Sequence, residues 1–193
     1  MPGNNIDTLI IGGGIIGLLT ARELALAGQS VTVLERNPRA GLESSWAGGG
    51  ILSPLYPWRY PDAVTDLSAI GHLEYPGLAA ELLEATGIDP EYIRSGHLIL
   101  DTEEQDEAKS WAKEFSKKIR LDSKIKYLSR IGRREISVLE PELSENFQAA
   151  LWLPYVGQVR NPRIMKSLIQ DLIQRGVKII TDMPVEKINT SAG

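Results

Sequence analysis

Three glycines and one carboxylate carry the clearest chemistry in this 193-residue chain. Gly12, Gly14 and Gly17 stand in the spacing G-x-G-x-x-G, and Glu35 follows Gly17 by 18 residues. Between a strand and a helix, the first glycine of this motif allows a tight turn and the second lets backbone approach a pyrophosphate. The third lets the helix pack closely on the strand. The helix start adds unpaired N–H groups and positive partial charge facing the phosphates. A carboxylate about 20 residues further on accepts hydrogen bonds from the adenosine ribose. Glu35 repels a 2′-phosphate, which disfavours NADP. Arg36 beside it is a charged strand end of the kind water ordinarily surrounds.

The elements needed to position these residues are legible around them. Thr8 to Ile11 is an apolar run without alternation, which predicts a strand covered on both faces. Ile15, Leu18, Leu19 and Ala25 recur at helical spacing, with Arg22 and Glu23 on the wet side and Gly28 at the C-cap. Val31 to Leu34 then reads as a second strand rich in β-branched residues, ending at Glu35. Glycines alone would make a tight turn, and Glu35 alone would end a strand in solvent. The register of strand, turn, helix and strand favours a bound dinucleotide over that alternative.

After the second strand the chain departs from the usual NAD pattern and enters LESSWAGGGILSP, Leu42 to Pro54. Ser44 and Ser45 offer hydroxyl donors, and Gly48 to Gly50 offer backbone free of side chains, a composition suited to phosphate and the edge of a flat ring. A flexible Gly/Ser loop is the competing account. Trp46, Ile51 and Leu52 argue against a mere linker.

Composition narrows the function classes. A net charge of -4 with mixed signs provides no basic stripe for nucleic acid. With no cysteine the chain holds neither disulfide nor thiolate metal site. The apolar stretch from Leu9 to Leu19 is short of the roughly 20 residues of a membrane span, and MPGNNID lacks the basic residues of a signal peptide. A cytoplasmic protein is expected, without membrane or nucleic-acid partner. His72 and His97 have no companion at metal-ligand spacing, so no metal site is expected and both read as structural.

Three segments carry a resemblance: IIGGGIIGLLTARELALAG at Ile10 to Gly28, ESSWAGGGILSPLYPWRYP at Glu43 to Pro61, and GQVRNPR at Gly157 to Arg163. They resemble the FAD-dependent amino-acid oxidoreductases, which include glycine, sarcosine and D-amino-acid oxidases. The likeness covers nearly the whole chain, and the middle segment is most similar to proteobacterial glycine oxidases, enzymes that serve thiamine synthesis. The resemblance implies FAD as cofactor. It places the pyrophosphate at Gly12, Gly14, Ile15, Ile16 and Gly17, and the adenosine at Glu35 and Arg36. Ser44, Ser45, Gly49, Gly50 and Ile51 would approach the phosphates and flavin, and the backbone of Val185 the adenine. It also implies oxidation of glycine or a similar small amine, with O₂ reduced to H₂O₂ and the imine hydrolysed. D-amino-acid and sarcosine oxidoreductases share every one of these motifs. A nucleotide-binding module without activity is the alternative of a different class.

The remaining chain reads as an insertion and a return. Tyr56 to Pro61 should be extended and then open a long helix interrupted near Pro76 and Gly77 and closing at Thr86-Gly87. A strand at Gly96 to Leu100 precedes a charged helix at Glu103 to Lys118. Ala149 to Leu153 and Gly157 to Arg160 suggest a strand or hairpin, and Asn161 an N-cap with Pro162 opening a helix that ends at Gly176. Val177 to Thr181 is a third parallel strand, and Val185 a further strand start. The expected fold is α/β: a Rossmann-like FAD domain of residues 1–55 and 155–193, interrupted by part of an α+β substrate domain, residues 56–154. No residue is named catalytic, because the resemblance places the substrate-gripping arginine in a half this sequence does not contain. A truncated polypeptide or fragment, inactive alone, is the consequence. Its first strand would be an open edge, so a homo-oligomer is expected.

Overall fold

In the computed structural model, residues 7–100 and 102–189 are described, so the chain end at Thr190 to Gly193 lies outside the described residues. The elements are β1 (Thr8–Ile11), α1 (Ile15–Leu26), β2 (Val31–Leu34), α2 (Ser44–Ala47), α3 (Asp62–Thr86), β3 (His97–Leu100), α4 (Gln105–Lys118), β4 (Ser129–Gly132), α5 (Arg133–Leu139), β5 (Ala149–Leu153), α6 (Asn161–Gln174) and β6 (Lys178–Ile180). They fall into two compact units: Met1–Gly50 with Ala79–Glu91 and Arg160–Gly193, and Ile51–Leu78 with Tyr92–Val159. The junctions differ by about five residues from those expected at 55 and 155, and the last part of α3 belongs to the first unit.

The first unit is built on a parallel sheet of order β1-β2-β6, with Ile10 opposite Val33 and Val33 opposite Ile179. Helices α1 and α6 pack on one another, and Leu18 and Ala21 of α1 and Leu168 and Leu172 of α6 are all buried. The end of α1 follows from Gly28 in the left-handed region, φ +85°. There the Gln29 N–H reaches the Leu24 carbonyl and the Gly28 N–H that of Ala25, which satisfies the last carbonyls of the helix.

Four expectations change here. β1 is not covered on both faces: Leu9 and Ile11 are each 52% exposed, because β1 lies at the sheet edge and alternates, whereas central β2 is buried along Val31 to Val33. Arg22 is buried, not wet, because Asp171 and Glu81 receive its guanidinium at 3.1 and 2.6 Å. The N-cap of α6 is Arg160, one residue before Asn161, and Pro162 sits in the first turn, where its missing N–H is harmless. After β6, Val185 lies in non-strand backbone.

The second unit holds an antiparallel sheet of order β3-β5-β4, in which Leu98 faces Trp152 and Ile131 faces Ala150. Against it packs an aromatic core in which Phe115 and Tyr127 lie 4.8 Å apart and Trp111 stacks on Phe115 at 4.8 Å. α3 runs unbroken through Pro76, contrary to the expected interruption, since a single proline removes one backbone bond while its neighbours keep theirs. Pro57 to Arg59 forms a 3-10 turn, not an extended strand, and Glu104 fastens it: the Trp58 indole N–H and the Arg59 Nε both donate to that carboxylate. Residues 157–160 form no strand; Gln158 makes only isolated bridges to Ile51 and Ile93.

Candidate functional site

β1 ends where Gly12 turns the chain. Its φ of +106° is one that side chains rarely tolerate, and its N–H donates to the Leu34 carbonyl at 2.8 Å. A Cβ on Gly17 would lie 2.0 Å from the Gly12 oxygen, so helix and turn touch there only because no side chain intervenes. A Cβ on Gly14 would meet only Ser45 Oγ, at 3.2 Å, because this stretch of backbone borders a cleft.

Gly14 is also the N-cap of α1, a helix with no side-chain cap and no acid in its first turn. Ser45 approaches from α2, and the Ile15 N–H donates to its Oγ at 2.9 Å. Among the described residues, no protein acceptor meets the N–H of Ile16 or Gly17. Free donors at a helix start, aligned with its positive end, suit an anion.

Glu35 is only 6% exposed. Its Oε1 accepts the backbone N–H and the side-chain amide of Asn37, both at 2.8 Å, and its Oε2 accepts the Gly13 N–H at 2.8 Å. Oε2 therefore retains an acceptor site, as a ribose hydroxyl requires. Gly13 must itself be small, since a Cβ there would lie 2.8 Å from that of Ala40 and 3.0 Å from Oε2.

Gly14, Glu35, Asn37, Glu43, Ser44 and Ser45 border a cleft of about 230 Å³. That is smaller than the roughly 300–1,000 Å³ of sites that enclose a drug-sized ligand, so it suits one segment of a dinucleotide. Free helix donors, a side-chain-free approach at Gly14 and a buried carboxylate with spare acceptor capacity together fit the adenosine diphosphate portion of FAD.

The other expected positions are arranged differently. Arg36 is exposed and held by Glu43 at 2.6 Å. The hydrogen bond from Arg36, then that from Asn37, holds the Glu43 carboxyl below its ordinary value, and the same pairing raises Arg36. Gly49, Gly50 and Ile51 follow α2 but do not border the cleft; Ile51 is half-exposed. Val185 is 37% exposed and also outside the cleft lining, although Met183, two residues earlier, donates its N–H to the Glu35 carbonyl at 2.9 Å. Asn37 and Glu43 escaped the sequence reading. Their signal was proximity to Glu35, in a stretch where polar residues are too common to single out.

Among the described residues, no three His, Asp or Glu side chains are placed to hold a metal, and no helix is long and apolar enough to cross a membrane.

Comparison with known proteins places this geometry in a family. The family described as DAO, FAD dependent oxidoreductase, matches residues 7–193. A glycine oxidase from Pseudomonas aeruginosa is 45% identical over 166 residues, which is 86% of this chain and 43% of the relative. The crystal structure of a glycine oxidase from Bacillus cereus superimposes with a TM-score of 0.77 at 27% identity, over 97% of this chain and 49% of that one. An L-amino acid deaminase from Proteus vulgaris gives a TM-score of 0.80 at 25% identity, over 98% and 42% of the two chains. The chain thus spans less than half the length of the relatives it matches. It belongs to the DAO family of FAD-dependent oxidoreductases.

Proposed function

We propose that this chain carries the FAD-holding part of an enzyme that oxidises glycine or a similar small amine to its imine. In that reaction O₂ is reduced to H₂O₂, and water hydrolyses the imine to the oxo acid and ammonia. The observation that carries the proposal is the pairing of buried Glu35, bound to Gly13 of the glycine turn, with the uncapped start of α1. Bound FAD supplies the electron acceptor for this chemistry.

The chain's own residues orient the cofactor. Glu35 accepts from the ribose, and the free N–H groups of Ile16 and Gly17, with Gly12 and Gly14 giving backbone access, meet the pyrophosphate, while the Ile15 N–H holds Ser45 Oγ beside it. Ser44 and Ser45 donate hydroxyls to the phosphates. Gly49, Gly50 and Ile51 reach the flavin, while Arg36 and the backbone of Val185 flank the adenosine. The first compact unit is thus the nucleotide-holding domain, and the second contributes part of a substrate domain. No residue here is assigned to the reacting atoms.

Two supports favour glycine: the level of identity to the Pseudomonas glycine oxidase and the extent of this chain that it covers. The Proteus L-amino acid deaminase, which superimposes just as well, favours a second reading in which an L-amino acid is oxidised. Turnover of the complete enzyme on glycine, sarcosine, D-alanine and L-alanine, followed as H₂O₂ and as oxo acid, separates these. A preparation that takes up no flavin when FAD is added overturns both.

A further inference from the structure

α4 presents Lys109, Ala112, Lys113, Ser116 and Lys117 along one face, the i, i+3, i+4, i+7, i+8 set, toward the loop of residues 121–128. Between them lies a groove of about 430 Å³, within the roughly 300–1,000 Å³ of small-molecule sites. Its floor is apolar: Ala112, Tyr127 and Leu128 are buried, Leu121 is half-buried and Ile125 is exposed. Its rim is basic, with Lys109, Lys113, Lys117 and Lys126 all exposed.

The charges on this rim are only partly answered. Asp122 is the one carboxylate among the lining residues, and its Oδ1 already accepts the Lys124 N–H at 2.9 Å. Lys109 pairs with Asp106 at 3.2 Å and Lys117 with Glu114 at 2.7 Å, both of them surface pairs easily exchanged for another anion. Lys113 and Lys126 have no ion-pair partner among the described residues. Lysine stems often lie over apolar surface with no ligand involved. Here they leave the groove open and Ile125 exposed.

We propose that this groove binds a small amphipathic anion, a carboxylate or sulfonate head on an apolar body. Lys113 and Lys126 hold the head, and Ala112, Leu121, Ile125 and Leu128 receive the body. An acidic peptide would use the lysines and leave the apolar floor unused, whereas a neutral hydrocarbon would do the reverse. The site lies within the second unit and does not depend on the flavin assignment.

Octanoate is the probe, followed by calorimetry and by backbone amide shifts. Saturable binding is expected, with shifts concentrated at Ala112, Ser116, Ser123 and Leu128. Substituting both Lys113→Gln and Lys126→Gln should weaken it roughly tenfold. Ile125→Ser should weaken it as well, and acetate and n-octanol should each bind far less tightly than octanoate. Acetate matching octanoate would reduce the groove to a patch of surface charge and overturn the proposal. So would an unchanged affinity in the double lysine variant, shifts scattered away from the groove, or tighter binding of an oligoglutamate peptide than of octanoate.

Discussion

Gly14 and Gly17 belong to one turn, yet a side chain has a different consequence at each. At Gly17 a Cβ collides with the backbone oxygen of Gly12, so Gly17→Ala should destabilise the whole first unit, seen as a lowered denaturation midpoint. At Gly14 only Ser45 Oγ lies near, at 3.2 Å, so Gly14→Val should lower that midpoint much less than Gly17→Ala and abolish FAD binding, measured by titration of the purified protein. A Gly14→Val variant with normal FAD affinity would show that the phosphates lie elsewhere. Glu35→Gln should weaken FAD by about tenfold or more, since a hydrogen bond to a charged group contributes roughly 1.5 to 3 kcal/mol. The contact from the Gly13 N–H weakens with it.

Arg22 and Asp171 tie α1 to α6, with Arg175 adding a second contact to Asp171 at 2.9 Å. Both members of the central pair are buried, at 4% and 1% exposure. Asp171→Ala should therefore cost about 3 to 5 kcal/mol, because it leaves a buried guanidinium with only the exposed carboxylates of Glu81 and Glu23. Pairing Arg22→Met with Asp171→Leu should recover most of that in urea denaturation. In the second unit, His72 on α3 is held below its ordinary value by burial beside Phe115 and Tyr127, and secondarily by the charge of Arg94. His97 on β3 is lowered by burial, with its Nδ1 unpartnered. Both bind protons more readily when unfolded, so their contribution is complete above the unfolded value of about 6.5 and is lost as pH falls through it toward the folded value. The denaturation midpoint should drop across that window, and His72→Gln with His97→Gln should flatten the drop. Elements governed by local pattern were legible in the sequence: β2, α4, β5 and the ends of α1 and α6 at Gly28 and Gly176. Those decided by distant contacts were not. Arg22 looked solvated because its partner lies in α6. The adjoining β4 and α5 escaped because Ser-Arg-Ile-Gly is too short and too polar to signal a strand, and seven residues are too few to signal a helix. In the site, Glu35 and the glycines follow from spacing, whereas Asn37 and Glu43 take their place only once the loop is folded.

At the scale of the molecule, β1 has no neighbour beyond β2 among the described residues, and its exposed Leu9 and Ile11 alternate along the sheet's edge. An unpaired apolar edge invites a strand from another chain. The 193-residue polypeptide alone should therefore self-associate in size-exclusion experiments. It should also yield no glycine-dependent H₂O₂ with added FAD, since it spans only 43% of the glycine oxidase it matches. Robust turnover from a clean monomer would contradict both expectations. The buried ion pair has a further consequence for synthesis. Arg22 and Asp171 are 149 positions apart, and ribosomes add about 5–20 residues per second, so Arg22 exists for roughly 7 to 30 s before its partner is made. During that interval the nascent β1-α1-β2 segment carries a cation it cannot bury and lacks the α6 helix that packs on α1. The first unit, although it begins the chain, must complete its folding after the second unit's residues have emerged.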